Sequence, residues 1–226
     1  MKLKQILAIV LSMALVACIS VAATVAYLTS VTETVTNTFT IGDIEITLDE
    51  AEVNKPDATN PGVAPSNAPR VTENDYQLFP GSEYDKDPTV HVQPGSEASY
   101  IFVKVTDNIA SLEDAKLIYD QIIDHEWIPF GTLTGVKNQD GWTGVFYKKQ
   151  AKVTGDKAVD LVVFDNFKIK TNVTSDILAK YEDETVVINA YAIQQANLTV
   201  EQAWEQVKDL TPSTDGNATQ GEANEG

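Results

Sequence analysis

The chain has 226 residues, of which 33 are acidic and 16 basic, so its formal net charge is −17 at pH 7. A surface this acidic repels phosphate backbones, which argues against nucleic-acid binding. The length suits one sizeable domain with an adequate core, and a single cysteine leaves no internal disulfide to support it.

The N-terminus has the pattern of a secretory signal peptide. Lys2 and Lys4 form a short positive region, and an uncharged apolar run follows over 6–17. Small residues then gather, so cleavage is expected after Ala26 and before Tyr27, with a cut three residues earlier as the alternative. Removal of this leader takes away two lysines and no acid. The mature chain would then carry 14 basic and 33 acidic residues, a net charge of −19.

Two alternatives to this cleavage stay open. Residues 15–18 have the shape of a lipobox, in which Cys18 would become the lipidated first residue of a membrane-anchored lipoprotein. The apolar character also continues to Leu28, and about 20 apolar residues can span a bilayer, so an uncleaved anchor is the other alternative. Contact with the membrane is expected only through the signal peptide or such an anchor.

The segment 27–41 is predicted to be a long strand. Tyr27, Val31, Val35 and Phe39 share one face, and threonine dominates the other. At about 3.3 Å per residue the run would reach roughly 50 Å, well beyond an ordinary strand. Part of it is therefore expected to project from its own domain.

Short strands separated by turn residues dominate the rest of the chain. After a change of parity at 42–43, strands are predicted at 44–48, 76–79, 89–92, 98–105, 142–147, 159–169 and 185–193. The proline-rich stretch 54–70 is expected to be an exposed loop with no core of its own. Pro-Gly pairs follow the second and third strands, a pattern typical of an antiparallel sandwich.

Helical signals occur at three places. A Ser-x-x-Asp pattern at Ser111 predicts a helix of about 13 residues that continues to Ile123. A short helical turn is expected at 175–181. Residues 199–202 form a capping-box pattern ahead of an apolar stripe, which predicts a final short helix packed on the sandwich.

The predicted organisation is a signal peptide at 1–26, one domain at 27–210 and a disordered acidic tail at 211–226. The predicted fold class is all-β with minor α: an antiparallel jelly-roll or immunoglobulin-like β-sandwich decorated by one or two short helices.

A family resemblance is carried by segments in a fixed order along the chain. They are ATVAYLTS at 23–30, NTFTIGDIEITL at 37–48, FPG and KDPTV within 79–90, PGSE and YIFVKV within 94–105, and INAYAIQQ and AW within 188–204. In this combination the chain resembles the TasA/camelysin family of exported Gram-positive proteins, whose signal peptides are processed by a dedicated SipW-type signal peptidase.

The resemblance implies secretion to the extracellular matrix or cell surface, a jelly-roll-like sandwich and, for the best-known members, biofilm-matrix fibres. In those fibres the N-terminal strand of one subunit completes the sheet of its neighbour. Residues 27–36 are the candidate donor segment here, and Tyr27, Val31, Val35 and Phe39 are the donor-strand candidates that would fill acceptor pockets. Self-assembly into a homopolymer is therefore expected, and an ordinary edge strand is the alternative.

No catalytic or cofactor motif stands out. His91 and His125 are the only histidines and form no zinc-protease motif, so a camelysin-like metalloprotease activity finds no ligand set. His91 is expected on the exposed face of its strand and His125 at a helix end. The chain is expected not to be an enzyme and to need no cofactor. Its acidic clusters leave Ca²⁺ binding open without an assigned site.

The three tryptophans allow one further function. Trp127, Trp142 and Trp204 could stack on sugars, so the alternative to a fibre subunit is a monomeric cell-wall-associated adhesin or carbohydrate-binding module. Because these tryptophans alternate in phase with apolar residues, packing in the core is favoured over sugar binding. The leading expectation is an exported structural subunit of a cell-surface or biofilm-matrix fibre.

Overall fold

The computed structural model describes residues 43–54, 62–114, 116–137, 139, 141–182 and 184–210. The strands are β1 (Ile46–Ala51), β2 (Arg70–Val71), β3 (Glu83–Asp85), β4 (Thr89–Val92), β5 (Ser99–Asp107), β6 (Ile128–Val136), β7 (Gly141–Gln150), β8 (Val159–Val162), β9 (Asn166–Lys168) and β10 (Val186–Gln194). The helices are α1 (Ile118–Asp124), α2 (Ser175–Leu178) with a 3-10 turn at Ala179–Tyr181, and α3 (Val200–Val207). This part of the chain is all-β with minor α, as predicted.

Two four-stranded sheets share one hydrophobic core in a sandwich-like arrangement. The first sheet has the order β2-β1-β4-β8 and the second β10-β5-β7-β6, and β3 pairs with β9 in a small third sheet. The strand pairs are antiparallel. Because side chains alternate along a strand, β5 turns Ile101, Val103 and Val105 into the shared core and Tyr100 and Phe102 to the opposite face.

Helix α3 covers that opposite face of the second sheet. The Gln202 backbone N–H donates to the Thr199 hydroxyl and the Thr199 N–H donates to the Gln202 side chain, which completes the predicted capping box. The Trp204 ring lies 5.2 Å from the Phe102 ring between centroids, and Ala203 is fully buried beside them. The prediction of a final packed helix is confirmed.

The helix predicted from Ser111 begins only at Ile118. The Ser111 hydroxyl is bonded to the Tyr181 hydroxyl, at 2.6 Å, rather than to a helix N–H. Glu113 forms an antiparallel β-bridge with Ile169, so the intervening backbone is drawn toward the third sheet. Tertiary hydrogen bonds therefore override the local capping signal.

The strand predictions differ from the structure at several places, and the short strands β2 and β3 were not predicted. The stretch 76–79 is not a strand: the Phe79 N–H donates to the Tyr84 hydroxyl, which donates to the Gln77 carbonyl, so these backbone groups bond to a side chain rather than to a strand. The run predicted at 159–169 is divided into β8 and β9. β6 was not predicted because it contains the strand breakers Pro129, Gly131 and Gly135.

The proline-rich stretch 54–70 is mostly exposed where the structure describes it, and it is attached to the domain at Gly62. Gly62 is buried and has a φ of 94°, and a Cβ there would lie 3.3 Å from ring carbons of both Tyr76 and Tyr84. Arg70 ends the stretch as the first residue of β2. Glycine is therefore needed at the point where this loop meets the third sheet.

Several predictions lie outside the described residues and remain predictions. They are the signal peptide, its cleavage between Ala26 and Tyr27, lipidation at Cys18, the donor candidates Tyr27, Val31, Val35 and Phe39, and the tail from 211. Within the described part of the chain, every helix is too short or too polar to cross a membrane.

Candidate functional site: a groove between two open strand edges

The first open edge belongs to β1. β4 pairs along one side of β1 from Ile46 onward, but β2 pairs on the other side only at the last two residues. The Gln93 N–H donates to the Glu45 carbonyl, so alternate residues from Glu45 face β4 and the backbone groups of Ile46 and Leu48 face the other way. No described strand pairs with β1 at these two residues.

The second open edge belongs to β10. All nine of its residues pair with β5, and the Gln195 N–H beyond it donates to the Ala98 carbonyl. By alternation the backbone groups of Val186, Ile188 and Ala190 point away from β5. β10 is the terminal strand of its sheet, so among the described strands its outer edge has no partner.

The two edges of the second sheet differ in how well they are protected. β6, at the far edge, contains Pro129 and two glycines, and its register shifts between Phe130 and Thr134. Proline and bulges are devices by which proteins prevent a further strand from pairing. β10 contains no proline, glycine or charged residue. It is therefore the edge of this sheet at which an additional strand can pair.

A groove of about 840 Å³ lies between β1 and β10. Apolar side chains from both strands and from the loops beneath form much of its lining, including Ile46, Leu48, Tyr76, Ile109, Phe167 and Ile188. Most of these side chains also border the shared core. The groove is thus an opening into the sandwich, and on two sides of it lies backbone with which no described strand pairs.

A buried ion pair closes the groove where β2 begins to pair with β1. Lys86 Nζ lies 2.6 Å from Glu50 Oε2, and the two side chains are 10% and 5% exposed. Asn74 Nδ2 donates to the other Glu50 oxygen at 3.0 Å and to the Ala51 carbonyl at 2.9 Å. A buried charge is costly unless it keeps its partner. These contacts therefore hold Asn74, in the loop before β3, and Lys86, directly after β3, against the end of β1.

The rim of the groove is acidic. Among the described residues, Lys86 is the one basic residue of the lining, and six carboxylates line it: Asp49, Glu50, Glu73, Asp75, Glu182 and Glu184. Asp49 is paired with Arg70 and His91. Lys86 is already neutralised by Glu50. An incoming segment therefore meets an apolar floor between negative walls, which disfavours a segment rich in acids.

His91 lies on the outer face of the first sheet, as predicted, but it is paired on both sides. Its Nε2 is 2.8 Å from Asp49 and its Nδ1 is 2.6 Å from Asp160. Burial alone would lower the pKa of His91, but the hydrogen bonds and charges of Asp160 and Asp49 outweigh it and raise the pKa above 6.5. The imidazole thereby connects β1, β4 and β8 next to the groove.

His125 is paired with a different carboxylate from those that bind His91. It is the C-cap residue of α1, at a helix end as predicted, and its Nε2 lies 2.9 Å from Asp165. Among the described residues no group of three or more histidine, cysteine, aspartate or glutamate side chains is arranged to hold a metal ion. The structure thus does not bring the two histidines into one site.

The tryptophan side chains confirm the core interpretation. Trp127 and Trp142 are 1% and 2% exposed, and their indole N–H groups donate to the Val162 carbonyl and to Asp107. Trp204 is half-buried between α3 and the second sheet. Trp127 and Trp142 are therefore not available to stack on a sugar.

The groove was not predicted from the sequence, in which only a candidate donor segment was identified. Its two walls are far apart in the chain, and nothing local indicates that they face each other. One signal was present: the nine residues of β10 carry no charge in a chain in which 22% of residues are charged. An uncharged strand at a sheet edge indicates a pairing surface.

No protein-family model, curated protein or solved structure matches the chain. Its function is therefore inferred from its own residues and their arrangement, of which the groove between β1 and β10 is the most distinctive.

Proposed function

We propose that the chain is an exported structural protein, a subunit of a cell-surface or biofilm-matrix fibre. Assembly occurs when the N-terminal segment 27–36 of one copy adds as a strand to the groove of the next copy. The observation that carries the proposal is the pair of open edges, β1 and β10, on either side of an apolar groove. The signal-peptide pattern and the resemblance to the TasA/camelysin family support export and processing by a SipW-type signal peptidase.

The donor and the groove match in hydrogen bonding and in side-chain chemistry. A strand lying in the groove can pair with the outward backbone groups of Ile188 and Ala190, or with those of Ile46 and Leu48. Its alternate side chains would then reach the apolar floor, as the period-two pattern of 27–41 requires. Main-chain hydrogen bonds supply affinity, and the side chains supply register.

The charges also match. The segment 27–41 contains one acidic residue, Glu33, and no basic residue. It is therefore the nearly neutral kind of segment that an acidic rim accepts. Since the mature chain would carry a charge of −19, most other segments of a second copy would be repelled from the same place.

Deletion of 27–36 tests the proposal. The deletion variant is expected to fold, to remain monomeric in analytical ultracentrifugation and to form no fibres in negative-stain microscopy. A synthetic peptide with the sequence of 27–41 should bind to it, because its groove is vacant. N-terminal sequencing of the secreted form would show whether the mature chain starts at Tyr27.

The opposing result is a mature protein that keeps 27–36 and stays monomeric over a range of pH, salt and concentration. In that case the segment either fills the groove of its own chain or lies elsewhere. The alternative function, a monomeric cell-wall-associated adhesin, would then be preferred, with a binding surface other than Trp127 and Trp142.

A further inference from the structure

Two acidic side chains lie together in the interior of the domain. Asp107, at the end of β5, is 0% exposed, and Glu113, in the turn before α1, is 2% exposed. Both residues belong to the turn after β5, where the Ile109 N–H donates to Asp107 and the Glu113 N–H donates to the Ala110 carbonyl, and the charge of each carboxyl group acts on the other. Within the described part of the chain, no lysine, arginine or histidine is bonded to either one. The pair is therefore buried without a cation.

Three of the four carboxyl oxygens have donors. The Ile109 N–H donates to Asp107 Oδ1 at 3.0 Å and the Trp142 indole N–H donates to Oδ2 at 2.9 Å. The Ile118 N–H, at the start of α1, donates to Glu113 Oε2 at 3.0 Å. Among the described residues Glu113 Oε1 has no donor. One proton placed between the two groups would satisfy this oxygen and remove one of two buried charges.

We propose that Asp107 and Glu113 share one proton in the folded protein and that this proton fixes the end of β5 to the start of α1. Glu113 is suited to the role because its other oxygen binds the Ile118 N–H and its backbone bridges to Ile169. Loss of the proton would leave two negative charges in contact inside the domain. The connection between β5, α1 and the third sheet would then loosen.

The surroundings favour the protonated state. Burial and the adjacent Asp107 raise the pKa of Glu113, and burial raises the pKa of Asp107. Asp120 on α1 adds further negative charge, and Lys137 beyond β6 is bonded to Asp120, at 3.0 Å, rather than to the pair.

The remaining ionisable groups near the turn do not supply a positive charge to the pair. Lys170, after β9, donates to the Ser111 carbonyl at 2.6 Å. The Tyr181 hydroxyl is bonded to the Ser111 hydroxyl, and Asp114, in the same turn, would add negative charge. The proton therefore remains the simplest way to balance Asp107 and Glu113.

The sign of the pH effect follows from proton linkage. An acid whose pKa rises on folding holds its proton in the folded state after the unfolded chain has lost it. The stabilisation is therefore complete below the ordinary glutamate pKa of 4.5 and is lost as the pH rises toward the folded value of about 9. Within this window one extra bound proton corresponds to a tenfold fall in the folding equilibrium constant for each pH unit.

Urea unfolding of the full chain between about pH 5 and about pH 8 measures this slope. Glu113→Gln keeps the shape and can accept from the Ile118 N–H while its amide donates to Asp107 without a proton. The variant should lose the one-proton slope and gain stability toward the alkaline end. Because the raised pKa of His91 gives a slope of the same sign, the comparison is made in a His91→Gln background.

Asp107→Asn provides a second variant for the case that Glu113→Gln does not fold. It removes one of the two charges, so the slope should fall, while its amide NH2 replaces an oxygen that accepts an N–H and lowers the stability at every pH. Carboxyl-carbon NMR titration of the unsubstituted protein reports the proton directly. An unchanged slope in the folded variants, or ordinary titration of both carboxyl groups, would overturn the proposal. The proposal would also be overturned if CaCl₂ stabilised the unsubstituted protein at fixed pH and did not stabilise the variants, because a cation rather than a proton would then balance the two charges.

Discussion

Leu48 on β1 and Ile188 on β10 turn their backbone groups toward the same groove although they lie at opposite ends of the domain sequence. Each strand is paired on one side, by β4 or by β5, and at these residues no described strand pairs with its other side. This relationship makes the domain receptive to a further strand, and it can be tested by altering one wall at a time.

A lysine at position 188 should block the groove. Ile188→Lys places a charge on the inner face of β10, and burial of that charge beneath an added strand would cost several kcal/mol. Fibre formation, followed by light scattering and microscopy, should be lost. Val187→Lys is the matched control, because Val187 precedes it on the same strand, is 41% exposed and points to the other face of the sheet.

Both variants should fold, because Ile188 is only partly buried when no added strand covers it. Circular dichroism would verify this. If the two variants assembled equally well, the groove would not be the acceptor.

Removal of the buried lysine at the end of the groove should destabilise the domain. Lys86→Ala leaves Glu50 charged and unpaired, at a cost of about 3–5 kcal/mol in the free energy of unfolding. Urea denaturation would measure it. The double variant Lys86→Met with Glu50→Leu should recover much of the loss, because an apolar pair needs no counter-charge. A loss below about 1 kcal/mol in the single variant would mean that water reaches this pair.

His91 should titrate above the ordinary value of 6.5, since Asp160 and Asp49 favour its charged form. Its contribution to stability is therefore complete below 6.5 and is lost as the pH rises through the raised pKa. NMR titration of the imidazole would give the midpoint. Asp160→Asn should move this midpoint downward, whereas Asp156→Asn, in the loop before β8, should leave it unchanged. A midpoint at or below 6.5 would contradict the expectation.

Gly62→Ala should destabilise the domain more than Gly95→Ala does. Both glycines have positive φ, 94° and 87°, so each substitution costs about 1–2 kcal/mol in backbone strain. Only at Gly62 would the new Cβ press on Tyr76 and Tyr84, whereas nothing lies within 4 Å at Gly95. Thermal unfolding of the two variants would isolate the packing of the proline-rich loop. Equal losses would show that the two rings move aside.

The sequence predicted those elements whose pattern is local. The alternation of Ile101, Val103 and Val105 identified β5, and the capping box at Thr199 identified α3. In both cases the segment itself contains the hydrophobic periodicity and the residues that mark its end, so the prediction did not depend on its packing partners.

The elements that were missed depend on partners distant in the chain. Ser111 has the sequence of an N-cap, but Tyr181 binds its hydroxyl, so the helix begins later. β6 is a strand although it contains two glycines and Pro129, because β7 pairs with it both before and after the register shift. To predict the groove one must know that β1 and β10 are neighbours, and the periodicity of a sequence does not give the order in which strands pair.

The irregularity of β6 affects how two copies of the domain can meet. Pro129 has no backbone N–H to donate, and the register shifts between Phe130 and Thr134. Two copies that meet along β6 therefore cannot form a continuous row of strand-to-strand hydrogen bonds. Sideways encounters remain transient, and the sheet is extendable from one flank only. If the chain assembles by strand addition as proposed, this asymmetry favours linear growth over lateral association.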